Sequence, residues 1–153
     1  MLLGSHSVAL EGKGRLQVPG AWWPELAAGW VLGRGVDRCL WLQPRSGWEA
    51  WAATLSGTLQ LRRRGARDLA RHLYAATTAG RLDTEGGLLV PEILLSYARI
   101  ADEATLVGIG DRAEIWEPLL WQELDAQIAR EAEAIAERLP WPPPWQLDRI
   151  AEG

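Results

Sequence analysis

A chain of 153 residues, 48% apolar and 24% charged, has the composition of a globular protein and is long enough to bury a core without disulfide or metal support. The single cysteine, Cys39, excludes an internal disulfide framework and a cysteine-based zinc site, and no apolar run approaches the roughly 18 residues of a membrane span. The net charge of −4 is unevenly spread: residues 1–79 carry ten basic and five acidic side chains and residues 80–153 six and fifteen, which means either an anionic partner for the first half or two differently solvated surfaces.

The opening segment, MLLGSHSVALEGKGR, has neither a basic stretch nor a long apolar one. No secretory signal is expected, and the cytoplasm is the expected compartment. Glu11-Gly12-Lys13-Gly14-Arg15 reads as a tight glycine-rich turn, and the Leu-Gln-Val-Pro that follows as a short strand ended by proline. A short helix is expected over Trp22 to Ala28, with Pro24 in its first turn. Apolar strands follow at Trp30–Leu32 and Cys39–Leu42, joined by a glycine-containing turn. Residues 60–76 then read as a basic helix with Leu69, Leu73 and Ala76 on one face.

The same string of elements then recurs. At an offset of 72 residues, Leu10, Gly14, Leu16, Val18 and Pro19 correspond to Leu82, Gly86, Leu88, Val90 and Pro91, and Glu11 to Asp83 in charge. Further on, VLGRGVDRCLW (31–41) matches LVGIGDRAEIW (106–116). A helix is expected over Glu92 to Ala98 and strands at Thr105–Val107 and Glu114–Trp116, with Gly108-x-Gly110 as a turn. Four short strands and one helix bury little alone, so the two copies are expected to interleave as a pseudo-dimer within one chain. A last helix over 118–139 carries Trp121, Leu124, Ile128, Ile135 and Leu139 as a narrow stripe, ended by Pro140 and a WPPPW tail.

Nothing in the chain assembles a catalytic or metal site. His6 and His72 lie outside any motif and read as structural or surface residues, and Cys39 as a buried small residue. Asp37, Asp111 and Glu114 lack metal-ligand spacing, so neither a cofactor nor an enzymatic activity is expected. The turn at 11–15 is the one chemically suggestive feature. Its glycines allow close backbone approach, Lys13 and Arg15 can reach a phosphate or a guanine edge, and Glu11 can hold the Arg15 guanidinium.

The repeat, with LEGKGRLQVP, GRGVDRCLWL, LDTEGGLLVPEILLSYA and LVGIGDRAEIWEPLLW, resembles the MraZ family of bacterial transcriptional regulators over most of residues 8–121. The resemblance implies an α+β fold of two tandem swapped-hairpin modules of SpoVT-AbrB type, forming an intramolecular pseudo-dimeric β-barrel with further helices after each module. The expected division is residues 5–51 as the first module, 52–79 as a connecting basic helix, 80–123 as the second module, and 124–153 as a C-terminal helix and Pro/Trp tail. It further implies a cytoplasmic, nucleoid-associated, ring-shaped homo-oligomer without a membrane anchor. Such a ring would bind repeated promoter elements in double-stranded DNA and control the division and cell-wall gene cluster, its own promoter included.

The family's acidic-x-x-x-Arg signature falls on Glu11 and Arg15, which with Lys13 are the expected DNA contacts. Arg81 and Asp83 in the second copy are secondary candidates. This chain departs from the pattern at Gly87, Trp23 and Leu95, each standing where the family has arginine. The losses remove charge and donor forks, so the first module is the expected reader. They also motivate an alternative, a diverged member with weak DNA binding that acts as an oligomeric protein-interaction module. An antitoxin of the same fold fits less well, because such proteins usually carry one module.

Overall fold

The computed structural model describes residues 1–140; the WPPPW string expected as a tail lies outside the described residues. The chain divides into two compact units, Met1–Pro118 and one beginning at Leu119.

The first unit is built on eight antiparallel strands: β1 (Leu2–Glu11), β2 (Arg15–Gln17), β3 (Trp30–Arg34), β4 (Leu40–Pro44), β5 (Thr78–Gly80), β6 (Gly87–Leu89), β7 (Glu103–Gly110) and β8 (Ala113–Trp116). Their order across the sheet is β5-β3-β4-β8-β7-β1-β2-β6. The repeat makes β1 equivalent to β5 and β3 to β7. The pairing exchanges them: β1 lies on β7 and β5 on β3. The second strands of the two copies pair with each other, β2 on β6, and so do the fourth strands, β4 on β8. Only β5 and β6 are left at the ends of the order, so the sheet is a nearly closed barrel. Closure covers edges that would otherwise be free to pair with other chains.

The exchange follows from the size of the repeat. Leu16, Leu32, Leu40 and Leu42 of the first copy pack in one core with Leu88, Leu94, Leu106 and Ile115 of the second, and all are buried. Each such side chain stabilises the fold by about 1.5–3 kcal/mol relative to exposure. Neither copy can bury its half without the other. Trp22 is also buried, and its Nε1 donates to the Leu3 carbonyl at 3.0 Å.

Several expectations about local elements are corrected. The helix expected over 22–28 is a 3₁₀ turn, Gly20–Trp22, followed by the short α1, Trp23–Leu26. The chain leaves it at Gly29, whose φ of 131° is outside helical space. Gly108 is not in a turn. β7 runs through it, opposite Gly4 of β1. The helix expected over 60–76 is present as the shorter α3 (Arg64–Tyr74), and it is preceded by a helix that was not expected, α2 (Arg45–Thr58). No residue of α2 is buried. Edge-to-face contacts attach it, with Trp48 at 5.9 Å from Tyr74 and Trp51 at 5.8 Å from Trp41, between ring centroids.

Helix α4 (Glu92–Ala98) ends where Arg99 adopts a left-handed φ of 58°. The histidines serve packing. His6 stands edge-on to Trp22 at 5.2 Å, and His72 Nε2 lies 2.7 Å from the Gly35 carbonyl, which also accepts from the Tyr97 hydroxyl. Helix α5 (Pro118–Arg138), all but its first residue in the second unit, is close to the expected bounds and has no fully buried residue. No helix among the described residues is long and apolar enough to cross a membrane.

Candidate nucleic-acid interface

The 11–15 turn closes the β1–β2 hairpin, with Glu11 opposite Arg15 in register. Gly12 and Gly14 carry positive φ angles of 53° and 91°. At Gly14 the requirement is also steric, because a Cβ there would sit 2.7 Å from the Val90 carbonyl oxygen. That approach allows Val90 N to donate to the Gly14 carbonyl at 2.9 Å, which pins the tip of the turn to the second copy. Lys13, the chain's only lysine, is exposed at this tip. It forms no ion pair with any described residue. An open cleft of about 850 Å³ lies beside it, lined in part by Leu89, Leu95, Glu92 and Asp102.

Arg15 is placed differently. Its side chain is 21% exposed. Nε donates to Asp83 Oδ2 at 2.9 Å and Nη2 to Asp83 Oδ1 at 3.2 Å, a two-pronged pair between side chains 68 residues apart. Nη1 donates to Glu11 Oε2 and Nη2 to Gln17 Oε1, each at 3.2 Å, and Glu85 Oε2 is 3.8 Å away. Four of the five guanidinium N–H groups are thereby occupied. The Glu11 contact expected from the sequence is present. The larger partner is Asp83, which the swapped topology delivers by pairing β2 with β6. The hydrogen bond to Asp83 raises the Arg15 pKa further above its usual range.

Asp83 is held by more than Arg15. Its Oδ1 accepts from the Glu85 and Gly87 amides, each at 2.9 Å. The Arg15 hydrogen bond first, then these amides, hold its carboxyl well below the usual carboxylate range, so the pair is fully charged at neutral pH. Gly87, which stands at a family arginine position, has a role here. A Cβ there would lie 2.3 Å from Arg15 Nη2, so the bare backbone leaves room for the guanidinium. Trp23, at another such position, lies over Gly86 and donates from Nε1 to the Val18 carbonyl at 2.8 Å. Gln17 Nε2 donates to the Glu85 carbonyl at 2.6 Å. The second copy's turn is therefore clasped by Arg15, Gln17 and Trp23 of the first. Leu95 is almost fully buried in the core.

The structure thus brings Glu11, Lys13, Arg15 and Asp83 together, with Arg81 exposed in the segment leading into the second turn. Glu85 and Gln17 were not singled out from the sequence, and Trp23 only as a position where arginine is lost. Their positions beside the first turn depend on the exchange of strands. The arrangement offers one free primary ammonium, a braced guanidinium with one open N–H, and three carboxylates within 4 Å of that guanidinium. It contains no nucleophile–base pair, and the described residues include no group of three or more His, Cys, Asp or Glu able to hold a metal ion.

A profile of the family described as "MraZ protein, putative antitoxin-like" matches residues 1–71 and 73–140. Curated relatives named transcriptional regulator MraZ align over 139 residues, 91% of this chain. The Lactiplantibacillus plantarum protein is 34% identical over 98% of its length, the Moorella thermoacetica protein 33% over 96%, and the Thermomicrobium roseum protein 36% over 97%.

Proposed function

The chain belongs to the MraZ family, and on that footing we propose that it is a transcriptional regulator that binds duplex DNA in a sequence-specific way through the β1–β2 turn. The observation that carries this reading is the exposed Lys13 at the tip of a turn fixed by the Gly14–Val90 hydrogen bond, beside a braced Arg15. Lys13 meets a phosphate, and the open N–H of Arg15 is directed rather than searching, which lowers the ordering cost of a contact. Glu11, Arg81 and Asp83 set the field around them. One turn gives a weak contact. A ring-shaped homo-oligomer that presents many turns to repeated promoter elements raises avidity by about 10²–10⁴. The proposed targets are the division and cell-wall gene cluster and the protein's own promoter.

The protein is expected to shift a duplex carrying its own upstream repeats in preference to a scrambled duplex, with affinity falling steeply as salt rises. Lys13→Ala should make the plot of log affinity against log salt shallower by about 0.9 for each turn engaged. Fluorescence anisotropy over a salt series measures both. Equal binding to the two duplexes removes sequence specificity from the reading, and an unchanged slope removes Lys13.

A second reading rests on a different observation. Lys13, Arg15 and Arg81 are balanced one for one by Glu11, Asp83 and Glu85, so the face of the turns is locally neutral. A diverged member serving as an oligomeric interaction module would look like this. No shift at low salt, with the assembly intact by light scattering, selects that reading.

A further inference from the structure

Residues 61–71, remote in sequence from both turns, hold five arginines, at 62, 63, 64, 67 and 71, against the single acid Asp68. The local charge is +4 in a chain whose net charge is −4. Arg64, Arg67 and Arg71 recur at helical spacing along one face of α3, with Asp68 on the same face. Asp68 is shared: it lies 3.6 Å from Arg64 Nε and 2.8 Å from Arg71 Nη1. Arg62 and Arg63 are exposed and form no ion pair with any described residue. The cluster is also built into the local structure. Arg67 Nη1 donates to the carbonyls of Leu61 and Arg62, at 3.0 and 2.9 Å, which folds the leading arginines against the helix. At the other end Arg34 Nε donates to the His72 carbonyl at 2.9 Å and brings one more cation alongside.

Like charges held this close repel one another, Asp68 offsets only one of the five, and an anionic partner relieves the remainder. We infer that the arginine segment 62–71 is a second DNA contact, distinct from the turn, which takes the phosphate backbone of the duplex without reading its sequence. The inference rests on the reading of the protein as a DNA-binding regulator. The dimensions match. The arginine-bearing part of α3, residues 64–71, extends for about 11 Å. On duplex DNA, where phosphates of one strand follow at about 3.4 Å along the axis, that length covers about three of them. Guanidinium forks suit phosphate oxygens, and the exposed members are free to turn toward them. The contact adds affinity for any duplex and leaves discrimination to the turns.

The test replaces Arg62, Arg63 and Arg64 together, as Arg62→Ser, Arg63→Ser and Arg64→Ser in the full chain. Anisotropy is read over a salt series on the protein's own upstream duplex and on a scrambled duplex of equal length. The slope of log affinity against log salt should become shallower by about 2–3 for each segment engaged, on both duplexes. The affinity ratio between the duplexes should stay as in the unmodified protein. The triple replacement by lysine should restore most of the slope, which separates lost charge from lost fold, and circular dichroism checks folding directly. A slope equal to that of the unmodified protein overturns the inference. So does an unchanged slope with a reduced assembly mass, which would assign the arginines to contacts between copies. A loss confined to the upstream duplex overturns the sequence-independent role. Failure of the unmodified protein to bind either duplex overturns the functional reading and this inference together.

Discussion

Arg15→Ala is expected to reduce affinity for the protein's own upstream duplex by about 100-fold or more when several turns act together. The loss comes less from the missing contact than from the charges left behind. Glu11, Asp83 and Glu85 all lie within 4 Å of the guanidinium. Without it, the three carboxylates are balanced only by Lys13 and Arg81, and the face of the turns changes from neutral to a net charge of −1. A duplex backbone then meets repulsion at every engaged turn. This origin is testable by second-site change. Adding Asp83→Asn and Glu11→Gln to Arg15→Ala should recover part of the lost affinity, most visibly at low salt. A simple contact role leaves nothing to recover. Circular dichroism should show the variant folded, because the ion pairs lie near the surface, where such pairs are worth little to stability. Binding equal to that of the unmodified protein would remove Arg15 from the interface.

Gly108→Ala is expected to have the largest effect on stability, about 3 kcal/mol. A Cβ at 108 would lie 2.4–2.5 Å from the Leu2 carbonyl carbon and oxygen and the Leu3 amide nitrogen. These are backbone atoms, so no side-chain rotation relieves the clash, and β1 must move off β7. That ladder joins the first strand of one copy to the third strand of the other over Leu2–Ala9. The thermal midpoint should therefore fall by about 10 °C in a calorimetric scan. Gly57→Ala is the control. A Cβ at 57 meets nothing within 4 Å. The position is exposed within α2, so the midpoint should hold or rise slightly. If Gly108→Ala melts like the parent, β1 does not lie on β7 in solution.

Much of this architecture is legible in the sequence because its signals are local. Proline and glycine punctuate the strands, and the correspondence of Leu10, Gly14, Leu16, Val18 and Pro19 with the residues 72 positions later reveals two equivalent copies. The smallness of each copy then requires interleaving. The misread elements depend on neighbours distant in the chain. Helix α2 holds two glycines and several Ser and Thr, all weak helix formers, and is secured by ring contacts to Trp41 and Tyr74. Gly108-x-Gly110 has the look of a turn, but Gly108 is there because the β1 backbone passes against it.

The site shows the same division. The Glu11–Arg15 pair is visible at a spacing of four residues, whereas the Asp83–Arg15 pair spans 68 and exists only because β2 pairs with β6. Gly87 and Trp23, which read as simple losses of arginine, turn out to accommodate Arg15 and to cover the second turn.

The proposal that the first turn meets DNA can be tested on the unmodified protein, because Lys13 is its only lysine. Amine acetylation followed by mass spectrometry then reports that one ε-amine, with the Met1 α-amine, which is paired with Glu25, as the internal reference. Cys39 does not interfere, since it is buried and its thiol is pushed up to about 12 by that burial. Saturation with the upstream duplex should slow acetylation of Lys13 by at least about tenfold relative to Met1, as expected of an amine held against phosphate. Acetylation of Lys13 at its free rate, while a mobility shift shows the duplex fully bound, would contradict the account.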